Sequence, residues 1–192
     1  MFDLLIRGAQ VIDGTGNNRF TGDVGVVGDR IQDIGSLNGA TAAETIEAEG
    51  KVLTPGFVDV HTHLDAQIFW DETLSPSPLH GVTSVIGGNC GFTIAPLGDD
   101  PEVGEYLMRM LSRVEGMPLQ CLQEGVPWNW KSTSEYFDAI GDNLSINAGF
   151  KVGHSALRRV VMGTASTERE SSPEELIAMQ DLLREGLEAG GI

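Results

Sequence analysis

From Met1 to Lys51 the apolar positions come in short runs separated by Gly, Asp and Asn, a spacing that predicts strands and turns, not helices. Residues 4–6 and 10–12 read as a first and a second strand, followed by the turn-rich residues 13–18. Residues 24–27 and 30–34 flank Gly28-Asp29, a two-residue connection suited to a tight hairpin. Residues 45–48 and Val52-Leu53 add two candidate edge strands. Alternation with one polar face predicts a small antiparallel sheet or half-sandwich.

The pattern changes after the Pro55-Gly56 break. Phe57, Val58, Asp59 and Val60 form a short apolar run that reads as a buried strand. Beyond Asp65, strand-like runs alternate with helical stretches, the signature of a parallel α/β arrangement. Residues 66–78, with Phe69 and Trp70, read as a loop that leads to a short helical piece ending at His80-Gly81. Residues 83–86 make a second buried strand. Residues 102–114 place Val103, Tyr106, Leu107, Met110 and Val114 on or near one helical side. Ser132 or Thr133 caps a helix through Ile140. Residues 147–153 form a third strand ending at His154. Ser172-Pro173-Glu174-Glu175 then opens a helix running to about Glu188, with a cap, a proline at the first position and acids at the positive dipole end. Residues 190–192 lead toward a fourth strand.

Composition narrows the partners. Twelve Lys and Arg stand against 28 Asp and Glu in 192 residues, a net charge of −16, which argues against nucleic acid because phosphate binding needs basic clusters. No apolar run approaches the ~20 residues that cross a bilayer, so no membrane partner is expected. Asp3 interrupts the N-terminal apolar run, and no secretory leader is read there. Cys90 and Cys121 are too few for a disulfide framework, and a reduced, cytoplasmic setting is expected.

The candidate chemistry lies at strand ends. Side chains alternate with period two along a strand, so Asp59, His61 and His63 are expected on one face. Two imidazoles so placed can converge on one metal ion, with the Asp59 carboxylate free to accept a second ring N–H. Cys90 follows the second strand within Gly87-Gly88-Asn89-Cys90-Gly91, where a thiolate can join two imidazoles on zinc. The rival readings are a hydrogen-bonded pair of core histidines and a cysteine acting as a small core hydrophobe. Cys121 reads as structural and His80 as a helix C-cap. His154 reads equally as a site-lining or a structural histidine. Arg158 and Arg159 read as solvated, or as partners of a substrate carboxylate. Phe69, Trp70, Trp128 and Trp130 read as packing for loops, or as walls of an acyl pocket.

PGFVDVHTH resembles the first barrel strand of the amidohydrolase superfamily, and GNCGFTIAP resembles its N-acyl-D-amino-acid deacylase (D-aminoacylase) branch. With VIDGTG, HGVTSVIGGNCGF and VGHSALRRVVMG the resemblance covers nearly the whole chain. It implies an α/β fold: an incomplete (β/α)8 TIM-type barrel, about its first three strands, over residues 56–192. The N-terminal part of a small β-sandwich domain precedes it over residues 1–55. Such a barrel takes about 250 residues, so the chain is expected to be an N-terminal fragment of a longer protein. The resemblance implies zinc, as one or two divalent ions, with His61, His63 and Cys90 as ligands. Cys90 would hold the metal-bridging place that other amidohydrolases give to a carboxylated lysine. It implies a substrate-binding role for His154, and two further histidine ligands and a general-base aspartate beyond Ile192. The implied reaction is hydrolysis of a non-peptide C–N bond, the deacylation of small-molecule N-acyl-D-amino acids or related amides by a metal-activated water. The alternatives are a cyclic amidohydrolase of the hydantoinase or dihydroorotase kind, against which the cysteine argues, and a non-catalytic truncated barrel used for binding.

Overall fold

A computed structural model describes residues 1–192. The chain forms two compact units, Met1–Gly56 and Phe57–Ile192.

The first unit is one five-stranded mixed sheet. Its strands are β1 (Phe2–Val11), β2 (Phe20–Val27), β3 (Arg30–Gly35), β4 (Ala42–Glu47) and β5 (Val52–Leu53), in the order β3-β2-β1-β4 with β5 also on β1. Where two short opening strands were expected, there is one long strand. Gly8, at φ +67°, absorbs the interruption as a bulge between Ile6 and Ala9, and its N–H donates to Asp23 Oδ1 at 2.9 Å. The sheet is also not purely antiparallel, because β4 and β5 run parallel to β1. Residues 36–41 carry the chain across to the free edge of β1; alternation fixes which face a residue shares, not which edge its strand joins. Ala9, Val11, Val24 and Ala48 form the buried face.

The second unit holds a parallel three-stranded sheet, β6 (Phe57–Asp59), β7 (Val82–Gly87) and β8 (Asn147–Phe150), in sequence order. Five helices accompany it: α1 (Pro101–Val114), α2 (Leu119–Gly125), α3 (Thr133–Ile140), α4 (His154–Met162) and α5 (Pro173–Glu188). Asp100 caps α1 through the Glu102 N–H, and Ser132 and Ser172 form full capping boxes with Glu135 and Glu175. The apolar side of α1 fills the core, with Leu107 fully buried and Leu111 nearly so beside Leu74, Val85, Ile94 and Leu122. No helix is long and apolar enough to cross a membrane.

Two expectations change here. Phe57, Val58 and Val60 were read as a buried strand, yet they are 59%, 58% and 63% exposed. β6 is an edge strand with a hydrogen-bonded neighbour on one side only, and apolar character records a tendency to be covered, not the cover itself. The arginines of α4 are tied down rather than solvated. Arg158 donates through Nε to Ser166 O at 2.6 Å, while Arg159 is 8% exposed, lies 4.3 Å above the Tyr106 ring and donates to Gly163 O. The loop aromatics pack down the long insertion between β7 and β8, residues 92–146, which holds α1, α2 and α3: Phe69 stacks on Trp130 at 5.2 Å, and the Trp130 and Trp128 indoles donate to Ile94 O and Leu122 O. At the other edge, Ile192 N donates to Phe150 O and Ile192 O accepts from Val152 N, beside the end of β8.

Candidate metal centre

The loop after β6 and the loop after β7 are joined by residues lying between and beside the candidate ligands. Thr62, between the two histidines, is buried; its N–H and its hydroxyl both donate to Ile86 O, at 3.0 and 2.9 Å. Asn89, also buried, donates through Nδ2 to Thr62 O at 3.1 Å and to Ile86 O at 2.7 Å, and its Oδ1 accepts from Lys151 Nζ. These bonds turn Thr62 inward and leave His61 and Cys90 facing out. Cys90 then sits at φ +57° in a tight turn, a left-handed conformation that costs a non-glycine residue about 1–2 kcal/mol. Strain of this kind gathers at functional sites. Gly88 makes the turn possible. Its φ is +72°, and a Cβ there would come within 2.7 Å of Lys151 O.

One donor atom from each of His61, His63 and Cys90 lies within 4.8 Å of the other two. Cys90 Sγ is 3.5 Å from His61 Nε2, and the two imidazole centroids are 5.4 Å apart. A tetrahedral zinc with bonds of about 2.3 Å to sulfur and about 2.0–2.1 Å to nitrogen would separate such a pair by about 3.6 Å. The spacing therefore suits a shared ion, and so does the pairing of thiolate with imidazole. His61 and Cys90 are exposed and His63 is half-buried, so the cluster is open to an ion and to water.

Asp59 does not support a histidine ring. Its Oδ1 accepts from the His61 backbone N–H at 3.1 Å, because the strand stops at Asp59 and the chain curls before the alternation can continue. Asp65 is buried, and its Oδ2 accepts from Gly88 N at 3.1 Å, linking the histidine loop to the cysteine loop. Burial pushes the Asp65 carboxyl up to about 7; the Gly88 N–H opposes the rise and the Glu115 charge adds to it. The Tyr136 hydroxyl, itself buried, donates to Asp65 O at 3.0 Å. His154 opens α4 and is exposed. It stands beside the turn, since a Cβ on Gly91 would lie 3.8 Å from His154 N, but it is outside the three-donor cluster. His80 ends the short helical turn Ser77–His80, with Gly81 beyond it in the left-handed region.

Thr62, Asn89, Asp65 and Glu115 were not singled out by sequence reasoning. The first three lie inside or directly beside the motifs and were within reach, because polar residues packed between ligands need partners of their own. Glu115 has no local signal.

The amidohydrolase family profile matches residues 44–191. D-aminoacylase from Alcaligenes xylosoxydans xylosoxydans is 37% identical over the whole of this chain, which spans 37% of that protein's length. A solved D-aminoacylase, described for the functional role of its binuclear metal centre, superposes with a TM-score of 0.82 at 37% identity, covering 100% of this chain and 38% of its own. N-acyl-D-glutamate deacylase from Bordetella bronchiseptica, complexed with zinc and a phosphonate mimic of the tetrahedral intermediate, gives a TM-score of 0.77 at 32% identity, covering 97% of this chain and 36% of its own. The chain is α/β and resembles these deacylases in fold.

Proposed function

The chain belongs to the amidohydrolase family, and on that premise we propose that it carries the first metal ligands of a zinc-dependent hydrolase that deacylates N-acyl-D-amino acids. The observation that carries this reading is the convergence of His61, His63 and Cys90 within 4.8 Å. These three residues would hold the ion. A thiolate with two neutral imidazoles leaves one positive charge on zinc, and a thiolate on an exposed turn has lone pairs free for a second ion. Bound zinc supplies Lewis acidity, meaning a nucleophilic water at neutral pH and a polarised amide carbonyl. The neighbouring residues hold this geometry: Thr62 and Asn89 lock the two loops, Asp65 ties Gly88 to the histidine loop, and Gly88 gives Cys90 its left-handed turn. His154, exposed next to Gly91, is assigned to the substrate side.

The parallel order β6-β7-β8 supports reading residues 56–192 as the opening strands of a (β/α)8 barrel, with the ligands at the C-terminal strand ends where such barrels place their chemistry. Residues 1–55 are then the N-terminal part of a small β-sandwich domain. The relatives' names and the phosphonate complex support the D-amino-acid substrate and the attack of water on an amide carbonyl.

The test has two arms. The chain should bind zinc, and Cys90→Ala should lose that binding. A polypeptide extended to the length of the relatives should release free amino acid from N-acetyl-D-amino acids and leave the L-enantiomers untouched. Undiminished zinc binding by Cys90→Ala would overturn the ligand set. Metal-dependent turnover of a cyclic amide in place of the N-acyl-D-amino acid would overturn the substrate.

A further inference from the structure

Of the three donors, His63 has the surroundings least explained by the strand loops. Its nearest charged neighbour comes from the insertion. Glu115 ends α1, where its N–H donates to Leu111 O at 2.9 Å, and Gly116 follows at φ +68°. Glu115 Oε1 lies 3.4 Å from His63 Nδ1, with the His63 and Glu115 side chains 21% and 18% exposed. His63 Nδ1 is itself buried and makes no aligned hydrogen bond. The contact has the separation of an ion pair without the alignment of a hydrogen bond.

The placement runs against simple electrostatics. A carboxylate at a helix C-terminus faces the negative end of the helix dipole, and Asp65, whose ionisation Glu115 opposes, is buried nearby. Glu115 nevertheless lies outside the three-donor set, so it touches a donor without being one. With Nδ1 turned to Glu115, Nε2 is the nitrogen of His63 left to meet an ion.

We infer that Glu115 is a positioning residue for the metal centre: its carboxylate accepts a hydrogen bond from the Nδ1–H of His63, fixes the tautomer with the lone pair on Nε2, and turns that nitrogen toward His61 and Cys90. The inference rests on the zinc reading of those three residues. Carboxylates that brace a ligating histidine hold its tautomer and orientation, and removing one lowers metal affinity about 10–100-fold. The role crosses from the insertion helix to the strand-end loops, so it also gives the insertion a function in the site.

The experiment titrates zinc chloride into the zinc-free chain against a chromophoric chelator, for the wild type, Glu115→Ala, Glu115→Gln, Glu115→Asp and Cys90→Ala. In parallel, 15N NMR of the zinc-free chain reads the His63 tautomer. The expected result is a 10–100-fold loss of affinity in Glu115→Ala and Glu115→Gln, partial recovery in Glu115→Asp, and loss of the Nδ1-protonated preference of His63 in the Ala variant. Wild-type affinity and an unchanged tautomer in Glu115→Ala would overturn the inference while leaving the zinc reading intact. Reduced affinity with an unchanged tautomer would overturn it too, because Glu115 would then act by charge or direct ligation. Equal, weak binding by wild type and Cys90→Ala would remove the zinc reading, and the inference with it.

Discussion

Asn89→Ala tests how the two loops are held. The side chain is 2% exposed and its Nδ2 spans Thr62 O and Ile86 O. Alanine removes both bonds, and with them the part-buried bond that Oδ1 accepts from Lys151 Nζ, whose loss adds to the costs of the other two. Ile86 O keeps the Thr62 N–H and hydroxyl, so its loss is that of an ordinary net hydrogen bond, about 0.5–1.5 kcal/mol. Thr62 O loses the Asn89 amide, and a buried acceptor left without a donor costs about 1–3 kcal/mol. The two carbonyl losses sum to about 1.5–4.5 kcal/mol, which in a chain of this size lowers Tm by about 3–18 °C. The strained Cys90 turn then has less to hold it, and zinc affinity should fall along with stability. The assay is equilibrium urea denaturation of the zinc-free chain together with chelator-competition zinc titration. Asn89→Asp serves as a near-isosteric control: it sets an acceptor against two carbonyl oxygens and should be at least as unstable at neutral pH. If Asn89→Ala stayed within about 0.5 kcal/mol of wild type and kept wild-type zinc affinity, the idea that this amide locks the site would be wrong.

Other perturbations probe the frame. Leu107→Ala, on the buried face of α1 at 0% exposure, should cost about 2–5 kcal/mol in urea denaturation; a loss below about 1 kcal/mol would mean that this face does not pack as described. The Glu175 carboxyl is held down to about 2 by its bidentate pairing with Arg169, at 2.8 and 2.7 Å, and by the Ser172 N–H. Its folded pKa is below its ordinary value of 4.5, so its contribution is present above about pH 4.5 and fades as pH falls toward 2. Glu175→Gln should flatten that part of the stability–pH curve, and identical acid limbs for the two proteins would count against the pairing.

The ligand candidates were legible because each sits in a short motif whose chemistry is local: two imidazoles two residues apart, and a cysteine among glycines. The helices α1, α3 and α5 were legible for the same kind of reason, since caps such as Ser172 with Glu175 are local too. Less visible was α2, whose seven residues carry no side-chain cap. The Asp59 reading shows how far period-two alternation reaches: it holds only while the strand lasts, and β6 ends at Asp59.

What the sequence determined by itself was the set of candidate donors, the α/β alternation and the acidic net charge, all set by residue identity and near-neighbour spacing. The tertiary structure decided which distant groups meet them. Thr62 and Asn89 bond across two loops, Arg159 is buried over Tyr106, and Glu115 reaches His63 from the end of an insertion helix. It also decided that β4 pairs parallel to β1 and that β6 is an edge. Such pairings depend on the path the chain takes between elements, and through-space electrostatics and packing act on that path without leaving a periodic trace in the sequence.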